Sequence, residues 1–395
     1  MTIPSATCSD DRTISALAPL MAVVLVAFLI IGIALPVLPL HVHDDLGLGT
    51  FFVGLVTGSQ FAASLFSRVW AGHFADKSGA KRAVIVGMVS ASVAGLIYLS
   101  SLAVASIPLV SVTILIVGRA LLGAAESFII TGALSWGLAR VSPGVSGKVI
   151  AWIGMAMYAA FALGAPLGTI LYAKYGFAAI ACATVLMPLA TLTLVLPLTA
   201  IPPLARSGPS MTRVIRAVAA PGIGLAMSSI GFGSIMAFVS LLFAEQGWQP
   251  TWLSFTVFAI SFIAARIVFG HLPDKLGGAR VALIFVLVEA AGQALIWTAT
   301  GSVPALLGAA MTGIGYSLVY PALGVEAVHR VPPQNRGLAM GAYTAFLDLA
   351  LGIASPALGL LAHWAGLRTV FLVGAVVACC SAGVSIALMK AAHSR

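Results

Sequence analysis

Long apolar runs alternate with short polar intervals along the chain. Bounded by charges, Gly and Pro, the runs cover 16–40, 51–70, 83–104, 109–138, 149–173, 177–198, 219–243, 253–270, 281–300, 303–325, 338–362 and 369–391. Each is close to the roughly 20 residues that an α-helix needs to cross a hydrocarbon core about 30 Å thick. None shows the short alternating segments of an outer-membrane barrel. The pattern therefore predicts an all-α membrane protein of twelve spanning helices. The longest polar interval, TAIPPLARSGPSMTRVIRAV at 199–218, separates two sets of six. The expected organisation is an N-terminal tail (1–15), a six-helix bundle (16–198), a central loop (199–218) and a second six-helix bundle (219–395).

Composition agrees: 61% of residues are hydrophobic and 8% charged, with a mean hydropathy of +1.10, against about 45–50% apolar in soluble domains. The net charge of +9 follows topology rather than a nucleic-acid-binding face. Apart from Arg119, Lys174 and Arg368, the basic residues are assigned to the two tails and the intervals after spans two, four, six, eight and ten. By the positive-inside rule both tails and the central loop are expected in the cytoplasm, of a bacterial inner membrane. Cys8, Cys182, Cys379 and Cys380 have no metal or redox spacing and read as small fillers. The segment MTIPSATCSDDR lacks the basic start of a signal peptide and reads as a cytoplasmic tail.

Two strings repeat. RVWAGHFADKSGAKR (68–82) matches RIVFGHLPDKLGGAR (266–280) at Arg, Gly, His, Asp, Lys, Gly and Arg, each copy following the second span of its half. SPGVSGKVIAWIGMAMYAAFALGAP (142–166) aligns without gaps to PPQNRGLAMGAYTAFLDLALGIASP (332–356), pairing Pro143 with Pro333, Gly147 with Gly337 and Pro166 with Pro356. The chain reads as a six-helix unit duplicated in parallel orientation, the repeat logic of secondary transporters.

With these residues the chain resembles the major facilitator superfamily across its length, carrying the G-x-x-x-D-x-x-G-x-[KR]-[KR] pattern between spans two and three. It is more specifically similar to the YhhS/YfcJ-type, arabinose-efflux-permease-like branch, through GIALPVLPLHVHDDLG (32–47), GRALLGAAESF (118–128) and YPALGVEAVHRVPPQNRGLAMGAYTAFLDLALG (320–352). The resemblance implies a latch closing the cytoplasmic side in the outward-open state. Gly72 and Gly270 would allow close helix approach. Asp76 and Asp274 would cap a neighbouring helix, while Lys77, Arg82, Lys275 and Arg280 pair across the halves. Glu326, near Arg330 and Arg336, is expected to add a gate salt bridge. His73 and His271 read as interfacial polar residues.

Ionisable groups inside spans are costly and are functional candidates by default. Arg119 and Glu126 lie two turns apart on one face of span four, and GRALLG resembles the superfamily's Arg-x-x-x-Gly motif, which implies proton coupling. Glu126 is the expected proton site with Arg119 its changing partner, and the alternative is a static buried ion pair. Asp348 in span eleven is a second candidate proton site or an acceptor for Tyr343 or Thr344. Glu289, on a span peripheral in this fold, is expected to pair with Arg266 or a backbone group. Gly164, Pro166 and Gly168 match the superfamily's antiporter motif only in part, and Pro36 and Pro39 interrupt span one. HVHDD (41–45) reads as an exposed loop rather than a metal site.

The expected substrate contacts are Gln60, Trp152, Tyr158, Phe161, Ser228, Ser229, Phe232, Tyr316, Tyr320, Tyr343 and Phe346, a largely apolar lining that suits an amphiphilic small molecule better than a sugar. No metalloprotease or phosphate-cradle motif is present, so an enzyme is disfavoured, and no cofactor or metal is expected. The reading is a proton-coupled antiporter exporting a small organic molecule by alternating access, functional as a monomer in lipid. The alternatives are proton-coupled uptake and a transporter-like sensor.

Overall fold

The computed structural model describes residues 7–140, 146–200, 211–332 and 336–393. Its long helices are α1 (Thr7–Ala34), α2 (Thr50–Ser78), α3 (Ala80–Leu102), α4 (Pro108–Ala139), α5 (Ser146–Tyr175), α6 (Phe177–Val195), α7 (Met211–Glu245), α8 (Leu253–Phe269), α9 (Gly278–Thr298), α10 (Ser302–Val328), α11 (Arg336–Ala365) and α12 (Leu367–His393). Eleven spans among the described residues are long and apolar enough to cross a membrane, and the 17-residue α8 is the shorter twelfth. The expected helices are therefore present. The largest shifts at their ends are at 7, 78 and 211, where polar residues extend a helix beyond its apolar run.

Single glycines turn the chain between neighbours. Gly79 (φ 95°) separates α2 from α3 and Gly277 (φ 88°) precedes α9, while Gly176 (φ 67°) and Gly366 (φ 83°) join α5 to α6 and α11 to α12. A side chain is strained at such φ values. Gly79 and Gly277 occupy matching places in the first pair of strings, and Gly176 and Gly366 keep the spacing of the second pair just beyond its end, so the repeat extends to backbone geometry.

After Ala34, α1 continues through Val37–Leu40 and the wide turn His41–Asp45. HVHDD is therefore a helical end rather than a loop, with His43, Asp44 and Asp45 exposed. His41 is buried, stacks on Phe177 with ring centroids 4.0 Å apart, and bonds through Nδ1 to Asp45 at 2.7 Å. Tyr172 donates to the same carboxylate oxygen at 2.6 Å. Cys182, Cys379 and Cys380 are exposed, alongside large apolar side chains such as Leu186 and Val376. That surface is the one a bilayer would cover.

The two sets of six meet along two seams, α2 on α11 and α5 on α8. At the first, Gly54 and Gly58 lie against the α11 backbone: a Cβ on Gly58 would sit 2.9 Å from the Gly352 carbonyl, and one on Gly54 2.8 Å from the Ser355 carbonyl carbon. Thr50 donates to the Gly359 carbonyl at 2.8 Å. At the second, Thr256 donates to the Ala162 carbonyl at 3.2 Å, and Tyr158 stacks on Phe262 with centroids 3.5 Å apart. Within one set, Gly164 and Gly168 of α5 meet the α1 backbone at Gly32 and Ile33.

The seams are tight towards the end that carries the α1–α2 and α5–α6 turns. At the opposite end a Cβ on Gly72 would meet nothing within 4 Å, and Asp76, Lys77, Arg82, Gly270, Asp274, Lys275 and Arg280 are exposed. The charged side chains among these make no hydrogen bond or ion pair among the described residues, so the expected caps and cross-half pairs are not formed in this conformation. Glu326 does not bridge to Arg330. It accepts from the Ala279 N–H at 3.0 Å and caps the start of α9, where unsatisfied amides favour an anion. The Arg336 side chain lies outside the described residues.

Candidate functional site

The polar centre is assembled by small residues that let helices approach. A Cβ on Gly123 of α4 would run into the Gln60 backbone of α2. Ser64 donates to the Gly123 carbonyl at 2.9 Å and Ser127 donates to the Ser64 carbonyl at 3.1 Å. This contact brings Gln60 Nε2 to Glu126 Oε2 at 2.6 Å. Gln60 Oε1 is buried and receives no hydrogen bond among the described residues.

Two turns further along α2, Arg68 crosses to the other half. Its Nε and Nη2 donate to Asp348 Oδ2 at 2.8 and 2.7 Å, with 23% of the Arg68 side chain and 3% of the Asp348 side chain exposed. Asp348 is thus held by an arginine rather than by Tyr343 or Thr344. Those two go elsewhere: Tyr343 donates to the Tyr320 carbonyl at 2.9 Å, and the Tyr320 and Thr344 hydroxyls are 2.8 Å apart. Glu126 lies within electrostatic reach of Asp348, Arg68 and Arg119, so the two acids and two arginines form one field across α2, α4 and α11.

Arg119 does not close an ion pair with Glu126. Seven residues along a helix is about 10 Å of rise, and Gln60 already occupies the carboxylate. Arg119 is 1% exposed, its Nε and Nη1 have no hydrogen-bond partner among the described residues, and Tyr98, whose ring lies against Gly118, is its electrostatic neighbour. The static-pair alternative does not describe this arrangement.

Glu289 is fully buried on the inner side of α9 and bonds to the Ser228 hydroxyl of α7, not to Arg266. Ser228 is therefore part of the α7–α9 packing. Gln293, one turn on, donates to the Gly231 carbonyl at 3.1 Å. The ninth span looks peripheral by fold position, yet Gly231 and Gly315 let α7 and α10 close over this carboxyl.

Among the other expected contacts, Tyr158, Phe232, Tyr316 and Tyr320 gather near the centre. Phe232 stacks on Tyr316 with centroids 4.7 Å apart, and Ser229 lies 3.3 Å from the Tyr316 hydroxyl. Phe161 packs at 6.0 Å from Phe28, Phe346 covers Gly222, and Trp152 is partly buried.

Sequence reasoning counted Arg68 and Arg266 with the loop charge and gave Arg266 no role beyond a partner for Glu289. Arg68 lies on α2 and Arg266 on α8, inside the spans as drawn, and they are matching members of the duplicated string. Arg266 Nη2 donates to the Ser317 carbonyl at 2.6 Å, and its guanidinium lies 5.2 Å from the Phe262 ring centroid.

The family model of the Major Facilitator Superfamily matches residues 20–223 and again 221–394. The chain belongs to the Major Facilitator Superfamily. An uncharacterized MFS-type transporter of Salmonella typhimurium is 45% identical over 363 residues, covering 92% of this chain and 94% of the relative. One from Pseudomonas aeruginosa is 41% identical over 370 residues, covering 94% and 91%. Among solved structures, a bacterial homologue of the human lysosomal transporter Spinster, inward-facing and unoccupied, aligns with TM-score 0.74 at 12% identity over 96% of this chain and 97% of its own. The human organic anion transporter MFSD10 aligns with TM-score 0.73 at 14% identity over 97% and 100%. These structural likenesses show the fold. As a superfamily member the protein is a multi-pass membrane transporter and not an enzyme.

Proposed function

We propose that this transporter is proton-coupled, that Glu126 carries the proton, and that it couples proton movement, by exchange or by co-transport, to that of a small amphiphilic organic molecule by alternating access. The supporting observation is the Glu126–Gln60 bond. Glu126 is held by a neutral amide while Asp348 is neutralised by Arg68, so Glu126 is the central carboxylate free to gain and lose a proton without leaving a cation unpaired. Gln60 Oε1 has no donor among the described residues, and rotating the Gln60 amide would present it as an acceptor to a proton on that carboxyl.

In this reading the exposed, unpaired charges around Asp76 and Asp274 mark the open end. Basic-residue placement puts that end, both termini and the central loop on the cytoplasmic side of a bacterial inner membrane. The conformation is then inward-open, with the latch parted and the outer seams shut. Export by antiport is supported by the α5–α1 contact through Gly164 and Gly168. Uptake with a proton is favoured by Arg266, a central cation without an acidic partner among the described residues, because an anion bound there offsets the positive charge and so makes protonation of Glu126 easier. The protein is expected to work as a monomer.

The experiment is flux in proteoliposomes under an imposed pH gradient with a compound panel. Glu126→Gln should abolish pH-driven accumulation while substrate binding persists. Normal pH-driven accumulation by that variant would make Glu126 structural.

A further inference from the structure

The duplicated strings place Arg68 and Arg266 in the same position of their halves, and the second alignment pairs Asp348 with Tyr158. Arg68 reaches across its seam to Asp348. Arg266 stands across its own seam from Tyr158 and is flanked by Tyr158, Tyr320, Tyr316 and Tyr343. One seam therefore closes an ion pair where the other sets an arginine before hydroxyls and aromatic faces. Arg266 Nε is buried without a hydrogen-bond partner, Nη1 donates to nothing among the described residues, and the one acceptor it has, the Ser317 carbonyl, is neutral. Tyr320 lies within electrostatic reach of Arg68, Asp348 and Arg266 together, so this cation belongs to the same central field as the acids.

Arg266 is partly exposed, and a cation there with no counter-charge among the described residues is open to completion by an anion. The surrounding chemistry narrows what that anion carries: Phe262 and Tyr158, stacked on each other, pack beside the guanidinium, and Tyr316 stacked on Phe232 extends the same aromatic wall. A planar guanidinium with free N–H groups suits a carboxylate, and an aromatic wall beside it suits an aromatic or flat apolar body.

We infer that Arg266 is the anion-binding residue of the transport site and that the substrate class is an organic carboxylate with an aromatic or flat apolar body. The inference rests on the central cluster being the transport site, and it names the substrate class for that reading. A proton on Glu126 and an anion at Arg266 reinforce each other, so of the two directions it fits proton-coupled co-transport.

The test is equilibrium dialysis of the full chain in detergent with three probes of one shape: 2-naphthoate, 2-naphthamide and 2-naphthylmethylammonium. The wild type should bind the carboxylate roughly ten- to a hundredfold more tightly than the amide, the range expected for a charge-assisted bond, and the ammonium least. Arg266→Gln should erase the carboxylate-over-amide ratio and Arg266→Lys should keep part of it. Tyr158→Asp should supply an internal partner for Arg266 and lower carboxylate affinity while leaving the amide affinity nearer the wild-type value. Monodisperse elution of each variant separates loss of fold from loss of preference. A wild type that binds the probes equally, prefers the ammonium or binds none overturns the inference, as does a folded Arg266→Gln that keeps the ratio. Carboxylate preference without any pH-driven flux would instead overturn the proton-coupled reading alone.

Discussion

The α2–α11 and α5–α8 seams descend from one duplicated contact, and they have diverged in opposite directions. In the first, backbone meets backbone at Gly54, Gly58, Gly352 and Gly359, and Arg68 and Asp348 neutralise each other. In the second, Thr256 stands where the repeat places Gly58 and bonds to Ala162, Tyr158 stands in place of Asp348, and aromatic rings fill the space beside Arg266. The first seam is specified by close approach and a fixed ion pair, the second by stacked surfaces and an uncommitted charge. Duplication thus gave one protein a clasp and, in the reading proposed above, an anion-receiving surface from the same parts.

The comparison breaks most severely at Asp348→Asn, which leaves Arg68 as unpaired as Arg266. Removing one partner of a buried pair costs about 3–5 kcal/mol, and partial exposure of Arg68 puts this one towards the lower end. Thermal unfolding in detergent should show it, and an unchanged transition would mean that the pair adds little. Gly54→Ala forces a methyl into the Ser355 backbone and should cost about 1–3 kcal/mol of overpacking. It should shift the protein towards the state with this seam open, read as increased modification of a cysteine introduced at Thr57. Thr256→Val removes one hydrogen bond from the other seam, worth about 0.5–1.5 kcal/mol. Its effect on thermal unfolding should be smaller than that of Gly54→Ala, and a larger effect would reverse the assignment of the tight seam. Asp76→Asn should be the mildest here, within about 0.5 kcal/mol, because Asp76 has no partner in this conformation. Its effect belongs to the opposite state, where spin-label distances between residues 78 and 276 should lengthen.

The fold was legible because each span is a long apolar run punctuated by Gly and charge, and the repeat was legible because its strings keep spacing. The site was legible in part. Glu126, Asp348, Arg119 and Gln60 stood out as polar residues inside apolar runs, but their pairing did not, since partners come from helices far apart in sequence. Glu126 takes Gln60 of α2, and Asp348 takes an arginine 280 positions away. Arg68 and Arg266 were hidden by position: near a basic helix end, an arginine is easily read as topology. The signal that would have found them is the first letter of both repeated strings, in spans drawn to residues 70 and 270. Glu289 was misplaced because fold position alone makes α9 peripheral, whereas Gly231 and Gly315 bring its neighbours over it.

A seam made of glycine against carbonyl has no slack. Side chains on opposing faces can slide by changing rotamer, but Gly54, Gly58 and Gly359 have none to move, so separation of α2 from α11 forfeits their contacts together. Packed interfaces of this kind switch between discrete arrangements rather than deforming continuously. The time course of a single molecule should accordingly show two dwell levels with abrupt steps between them, and the waiting times, not the step heights, should carry the response to substrate.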